Sequence, residues 1–386
     1  MSTGTGGAYW QGKALPSVFK HELLRRYIPP FGGMTSTQAR DRRVVYLDGY
    51  AGEGRYQNGD PGSAEIALRV ATHYQPRGLN LSCFFVEQQA KSFERLQQVL
   101  RGYVARGVEA RAHQGEVDDV LDDVVHRAQG VPLFLFLDPC GLCLPMERLV
   151  DVLARRRPEK RPATELLMNF SMMAVRRLGG HVKSPKGNER SLERFDAVCG
   201  GRWWREYFAG DRVDVEDAAE AVAAEYARRL RQQTNMFVQS VPVAKAPHHK
   251  AVYHLVFATR SPYGLWVLGD AAARARTEWW KTLELQEEEK EPDTLFSTVS
   301  VLRPDPEVVE KEAVPVMAAN LEVLLRAGRP IKLVDHTLEL FGSYFGQVTE
   351  PAARKAVKYL HSEGKTPSTG VGGDKTRELV VQPPRH

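Results

Sequence analysis

Cysteine is scarce in this chain of 386 residues: Cys83, Cys140, Cys143 and Cys199 are the only four, too few and too scattered for a disulfide framework. That scarcity predicts a reducing compartment, the cytoplasm. Long apolar runs are missing as well, and no stretch approaches the length that spans a membrane, so no membrane role is expected. Residues 1–9 are rich in Gly, Ser and Thr without a charged segment or an apolar core, and they read as a flexible lead rather than a signal peptide. Neither sign of charge dominates. The 53 basic and 48 acidic residues leave a net charge of +5, which permits an anionic partner without requiring one. No internal repeat is visible. The chain that remains is 42% hydrophobic and 26% charged, enough for one large α/β domain and a smaller companion, each with a core.

Against that background one stretch stands out. Val44-Val45-Tyr46-Leu47 is a short apolar, β-prone run, and it leads into Asp48-Gly49-Tyr50-Ala51-Gly52-Glu53-Gly54-Arg55. Glycine has no Cβ, so Gly49, Gly52 and Gly54 allow a tight turn and let backbone N–H groups approach a ligand. Residues 62–71 follow with helical spacing, and residues 81–87 form a second apolar run ending in the acid Glu87. This strand, glycine loop, helix, strand, acid order is that of a nucleoside-binding half-domain, with Glu87 placed to accept hydrogen bonds from ribose hydroxyls. Gly115-Glu116 marks the end of a third strand, where Glu116 would face an adenine amino group. Residues 132–137 give a fourth strand ending in Asp138-Pro139-Cys140-Gly141, and residues 165–170 a fifth. The order fits a Rossmann-like class I methyltransferase sheet using S-adenosyl-L-methionine (SAM), with Asp48, Gly49, Ala51, Gly52, Gly54, Glu87 and Glu116 as its cofactor residues.

Each of these residues also has a plainer reading. The glycines could form a turn only, and Glu87 could be a solvated strand end. Asp48 either orients the loop through local hydrogen bonds or reaches the positive part of SAM. Asp138 is the leading catalytic candidate, because a carboxylate beside a transferred methyl can accept a proton or hydrogen bond from the nucleophile; its alternative is to cap the next helix. Cys140-Gly141-Leu142-Cys143 has Cys-x-x-Cys spacing. No second Cys/His pair accompanies it, since His248-His249 is adjacent in sequence, so structural thiols are expected rather than a metal site.

These motifs together resemble the three-Cys-motif partner (TcmP) family. The likeness rests on Lys20-His21-Glu22-Leu23-Leu24-Arg25-Arg26-Tyr27, the loop 48–56, Gly62-Ser63, Val86-Glu87, Asp138-Pro139-Cys140-Gly141, Asn169-Phe170 with Arg176, and the late strand 253–259. It covers most of the chain. It implies a SAM-dependent methyltransferase encoded beside a radical-SAM-like protein bearing three cysteines; any such cluster belongs to that partner, since this chain has none. It also implies that Lys20 and His21 lie near the active-site mouth, where Lys20 would bind an anionic substrate and His21 would help move protons. Without the resemblance a Lys-His pair on an amphipathic helix reads as a wet face. Arg176 and Arg177 have similar standing as phosphate or carboxylate contacts. More distantly, the chain resembles ribosomal-RNA adenine-N6 methyltransferases, although Cys140 and Gly141 cannot stack on a base as the aromatic ring of those enzymes does.

The expected organisation is a lead over 1–19, a Rossmann-like domain over 20–285, an acidic linker over 286–312 and a winged-helix domain over 313–386. Pro29-Pro30-Phe31-Gly32-Gly33 should end the opening helix. Residues 192–233 read as helical, and 252–259 with 264–268 as a hairpin turning at Ser261-Pro262-Tyr263, the usual finish of a methyltransferase sheet. Toward the carboxyl end, 316–326, 331–344 and 350–361 read as three helices, followed by a glycine-rich loop and a strand at 379–381. Arg354, Lys355, Lys358 and Lys375 would give the third helix a basic face, with Lys355 and Lys358 as substrate contacts, for either nucleic acid or protein. The sequence thus predicts a SAM-dependent methyltransferase acting on nucleic acid or a nucleobase-containing substrate. Two readings compete with it: a scaffold for the three-cysteine protein, and another nucleotide-processing enzyme on the same fold.

Overall fold

The computed structural model describes residues 13–184, 186–210, 213–247, 249–290, 303–373 and 375–384. The lead as far as residue 12, the stretch 291–302 of the expected linker, and His248 lie outside the described residues. The chain divides into two compact units, Met1–Arg260 and Ser261–His386, each with its own apolar core.

The first unit runs α1 (Leu15–Thr35), β1 (Arg43–Asp48), α2 (Ser63–Tyr74), β2 (Asn80–Glu87), α3 (Ala90–Val104), β3 (Ala110–Gln114), α4 (Val117–Arg127) and β4 (Leu133–Leu137). It continues through α5 (Met146–Val150), β5 (Thr164–Ser171), α6 (Met172–Val182), α7 (Glu189–Cys199), α8 (Val215–Thr234), β6 (Phe237–Ala244) and β7 (Ala251–Thr259). The seven strands form one sheet in the order β3-β2-β1-β4-β5-β7-β6. The pairs among β1 to β5 are parallel, and β7 runs antiparallel to both β5 and β6. The order reverses between β1 and β4, the switch point of a doubly wound Rossmann-like sheet.

Side chains alternate along each strand, so β1, β2 and β4 bury both faces and read as continuous apolar runs. Val45, Leu47, Val86, Leu135 and Leu166 join the core shared with α4 to α8. Tyr46, Phe134 and Phe257 point the other way, and α1 lays Tyr27 and Phe31 on Phe134, with Tyr27 also edge-on to Phe257. Each such ring contributes about 1.5–3 kcal/mol by leaving water. This burial explains why α1 continues through Pro29 and Pro30 to Thr35 instead of stopping there as expected. The packing of Tyr27, Ile28 and Phe31 outweighs the two missing N–H donors.

The expected hairpin does not form. Residues 264–268 lie inside α9 (Pro262–Lys290), and the strand that β7 pairs with at the sheet's edge is β6, which precedes it in the chain. Pro262 suits a first helical turn, where its N–H would be unpaired anyway. The buried residues Leu265, Leu268, Ala272, Ala275, Trp279 and Leu283 then recur every three or four positions. In β6, exposed Pro242 interrupts the strand pattern but is tolerated at a sheet edge. The opposite edge, β3, exposes Arg111, His113 and Gln114.

The second unit comprises α9, α10 (Pro306–Leu325), β8 (Ile331–Lys332), α11 (Thr337–Phe341), α12 (Pro351–Ser362) and β9 (Val380–Val381). Strands β8 and β9 pair antiparallel, Ile331 opposite Val381. The helix expected over 331–344 is therefore a two-residue strand, a 3-10 turn and the short α11, which stops at Gly342 with φ 51°. Trp266, Leu321, Leu333, Phe341, Ala353 and Leu360 fill this core. The Trp266 indole N–H donates to Glu350 Oε2 at 2.9 Å.

Candidate functional site

The carboxyl ends of β1, β2, β4 and β5 lie along one edge of the first unit's sheet, where the glycine-rich loop leaves β1. Backbone bonds fix that loop: Ala51 N–H donates to Val86 O at 2.8 Å and Gly62 N–H to Gly54 O at 2.9 Å. Gly52 and Gly54 take φ of 60° and 76°, left-handed conformations that favour glycine. Gly49 has another role, because a Cβ there would press on the Leu137 and Val117 side chains. Arg55 ties the loop to α2 through the fully buried Glu65, donating from Nε at 2.6 Å, and Arg95 on α3 pairs with Glu53.

Asp48 ends β1 fully buried. Its Oδ1 accepts the Tyr50 N–H at 3.2 Å, while Oδ2 has no hydrogen-bond partner among the described residues. The residue thus orients the loop with one oxygen and leaves the other free. Burial pushes its carboxyl up to about 7, against the opposing pull of the Ser63 hydroxyl and the Tyr50 N–H. Glu87 ends β2 half-buried and accepts the Gln89 N–H at 2.7 Å. Burial raises its carboxyl too, with the Gln89, Gly52 and Gln88 N–H groups acting against the rise. Glu116 is exposed and serves as the amino-terminal cap of α4 in a capping box with Asp119, while Gln88 Nε2 donates to it at 3.2 Å.

Asp138, directly after β4, meets two residues far away in sequence. Lys20 Nζ forms an ion pair with Oδ2, and Asn169 Nδ2 on β5 donates to Oδ1 at 2.9 Å. Asp138 is not the cap of the following helix; Pro145 holds that position without a side-chain cap bond. Lys20 and His21 are each only 4% exposed, so the helix face carrying them is not a wet one. Burial by itself would lower the Lys20 ammonium, but the Asp138 charge, Tyr253 and the hydrogen bond to Asp138 reverse this, and its pKa lies above the usual range. Its Nζ also sits 5.5 Å from the Tyr253 ring centroid. Burial and the charges of Lys20 and Lys13 hold His21 well below its usual value, so it is neutral; its Nδ1 has no partner among the described residues, and its ring is edge-on to Tyr56.

Other sequence candidates sit differently. Arg176 binds Glu216 Oε2 at 2.9 Å and Ala251 O at 2.8 Å, which fixes α6 to α8 and β7; Arg177 is exposed on α6. In the second unit Lys355 pairs with Glu310, while Lys358 and Lys375 are exposed. Arg354 donates to Gly370 O at 2.8 Å. All four cysteines are free thiols. Burial raises Cys140 to about 11 and Cys143 to about 12, which keeps both protonated. No group of three or more His, Cys, Asp or Glu among the described residues is arranged to hold a metal, and no helix among them is long and apolar enough to cross a membrane. A cleft of about 200 Å³ between Gln75, Asn80 and Glu109 opens at the amino-terminal end of β2, away from this edge.

Two residues enter the site without having been assigned a role from sequence. Asn169 and Tyr253 stood only inside quoted motifs, and their signal is positional: each lies at the strand end that borders Asp138.

No family model matches the chain, and no curated protein matches it either. Solved structures do align with it. A precorrin-6y C5,15-methyltransferase from Geobacter metallireducens GS-15 has 13% identity and a TM-score of 0.28, over 59% of this chain and 86% of its own. The methyltransferase domain of bacterial CtHen1-CN has 11% identity and a TM-score of 0.29, over 61% and 97%. An uncharacterized protein from Listeria monocytogenes serotype 4b has 7% identity and a TM-score of 0.27, over 70% and 88%.

Proposed function

We propose that the first unit binds SAM and transfers its methyl group to a nucleic acid or another nucleobase-containing substrate. The observation that carries this reading is the convergence of Asp48, Glu87 and Asp138 on the carboxyl edge of a sheet ordered β3-β2-β1-β4-β5-β7-β6. The residues present fit such a ligand. Asp48 Oδ2 is buried and unpartnered among the described residues, an acceptor suited to the ammonium of the methionine part. Gly52 and Gly54 turn the loop beside it, and the half-buried Glu87 can accept two ribose hydroxyls. Glu116 keeps lone pairs for an adenine amino group while capping α4. The sulfonium supplies an activated methyl group. The protein holds the acceptor in line and sets Asp138 beside Lys20 as a site for a hydrogen bond or departing proton. Lys20 therefore acts through Asp138 in this reading, rather than as an anion-binding group.

A second reading follows the resemblance to the TcmP family, with this chain as the partner of a radical-SAM-like three-cysteine protein. The second unit offers an observation in its favour. Its helices and two-stranded ribbon suit a winged helix, yet Arg354 and Lys355 are spent on Gly370 and Glu310, which leaves few cations for a phosphate track and favours protein contact.

Isothermal titration with SAM separates these readings. Micromolar binding, lost in Gly52→Arg and Glu87→Ala but kept in Asp138→Ala, is the expected result for a methyltransferase. Absence of binding by the wild type would remove the cofactor site and leave a scaffold, to be tested by co-purification with the three-cysteine protein.

A further inference from the structure

Helix α10 is apolar on two opposite sides. Ala313, Met317, Leu321 and Leu325 point into the second core. On the other side Val308, Val316 and Val323 are 50%, 41% and 56% exposed, with Pro315 and Ala319 exposed among them. An amphipathic helix carries polar residues there, and a helix that is apolar all round is one covered all round. The midline of the exposed side reads Val308, Glu312, Pro315, Ala319, Val323, Arg326, steps of three and four that hold all six within about 80° of arc. Arg326 belongs to this line because the capping residue keeps helical angles, φ −58° and ψ −20°. Glu310 and Glu322 on the same helix are paired with Lys355 and Lys365. Glu312 and Arg326, by contrast, form no ion pair among the described residues, and they stand seven positions to either side of Ala319.

We propose that this side of α10 seats a second copy of the chain, docked antiparallel about a two-fold axis at Ala319. Pairing the helix with itself about that position sets Glu312 of each copy opposite Arg326 of the other, so the ion pair forms twice. Pro315 meets Val323, and the small Ala319 lets the two backbones come close where they cross. A parallel pairing would instead set Glu312 on Glu312 and Arg326 on Arg326, like charge on like at both ends. The stripe thus reads the same from either end with its charges inverted, the self-complementarity that an isologous contact requires. A foreign partner would impose no such symmetry. Six residues a side is far below the ~20–30 of a standard interface, which sets the dissociation constant on the order of 10–100 µM. Every residue involved lies in the second unit, so the proposal is independent of the cofactor reading.

Sedimentation equilibrium of the full-length protein, over about 5 to 500 µM, tests this. The apparent mass should climb from that of one chain toward that of two. Ala319→Glu sets two carboxylates face to face at the axis and should weaken association at least about tenfold. Glu312→Arg and Arg326→Glu should each weaken it about as much, because each sets like charges against one another. Mixed in equal amounts, those two single variants should associate again, since the cationic ends of one then meet the acidic ends of the other. All three positions are exposed, so circular dichroism of every variant should match that of the wild type. A wild type that stays monomeric at about 500 µM would overturn the proposal. So would a dimer indifferent to Ala319→Glu, or single variants that remain apart when mixed.

Discussion

At the scale of single residues, this protein keeps several carboxyl groups under the sheet edge and under α1 in surroundings that disfavour charge. Glu165 on β5 is 3% exposed and accepts the Tyr27 hydroxyl at 2.6 Å and the Thr259 hydroxyl at 2.7 Å. Burial lifts it to about 7, with both hydroxyls acting against the rise. A carboxyl whose folded pKa lies above its unfolded value binds more proton when folded, so its contribution is complete at low pH. That contribution is lost as the pH climbs from about 4.5 through about 7. Stability should fall across that window by something of the order of 1 kcal/mol per pH unit. Asp48 acts in the same sense, so Glu165→Gln should flatten the decline without abolishing it. Urea unfolding of wild type and variant at pH 5 and pH 8 measures this, and identical pH dependences would refute it. Sequence could not supply this network. Glu165, Tyr27 and Thr259 are separated by more than a hundred and by ninety-four positions, and nothing local marks them as partners. The same holds for Lys20 and Asp138. Their residue types were legible as candidates, but their pairing across 118 positions was not.

At the scale of elements, legibility followed burial. Strands β1, β2, β4 and β5 could be read because two-sided burial demands unbroken apolar runs. Strand β6 escaped because it is an edge, with Gln239, Ser240 and Pro242 diluting its pattern. Residues 264–268 misled for the opposite reason: a five-residue apolar run is compatible with a strand or a buried helix, and only the spacing out to Leu283 decides between them. Close contacts between elements were equally invisible in sequence. On α6, a Cβ at Gly179 would collide with the buried Phe208 ring, whereas one at the neighbouring Gly180 would meet nothing within 4 Å. Gly179→Ala should therefore lower the unfolding free energy by about 1–3 kcal/mol. Gly180→Ala should raise it by about 0.5–1 kcal/mol through helix propensity. Chemical denaturation of both variants tests the packing of α6, and equal effects would argue against it.

At the scale of the whole molecule, two units with separate cores should not melt as one. Differential scanning calorimetry is expected to give a calorimetric enthalpy larger than the van't Hoff value, and Leu321→Ala, which opens a cavity in the second core, should shift one transition by several degrees and leave the other in place. A single transition moving as a whole would show instead that the units unfold together. The division was only partly legible. The composition at 286–312 suggested a boundary, but α9 begins far upstream of it, and Trp266 belongs to the second core.

The two margins of the large sheet carry a further consequence. An open strand is a template on which a foreign strand can crystallise, chain upon chain, into insoluble fibres. Here one margin is short and bears Arg111, His113 and Gln114, and the other contains Pro242, which has no N–H to offer a newcomer. The interruption that concealed β6 in the sequence thus also guards a concentrated solution of this protein against self-assembly.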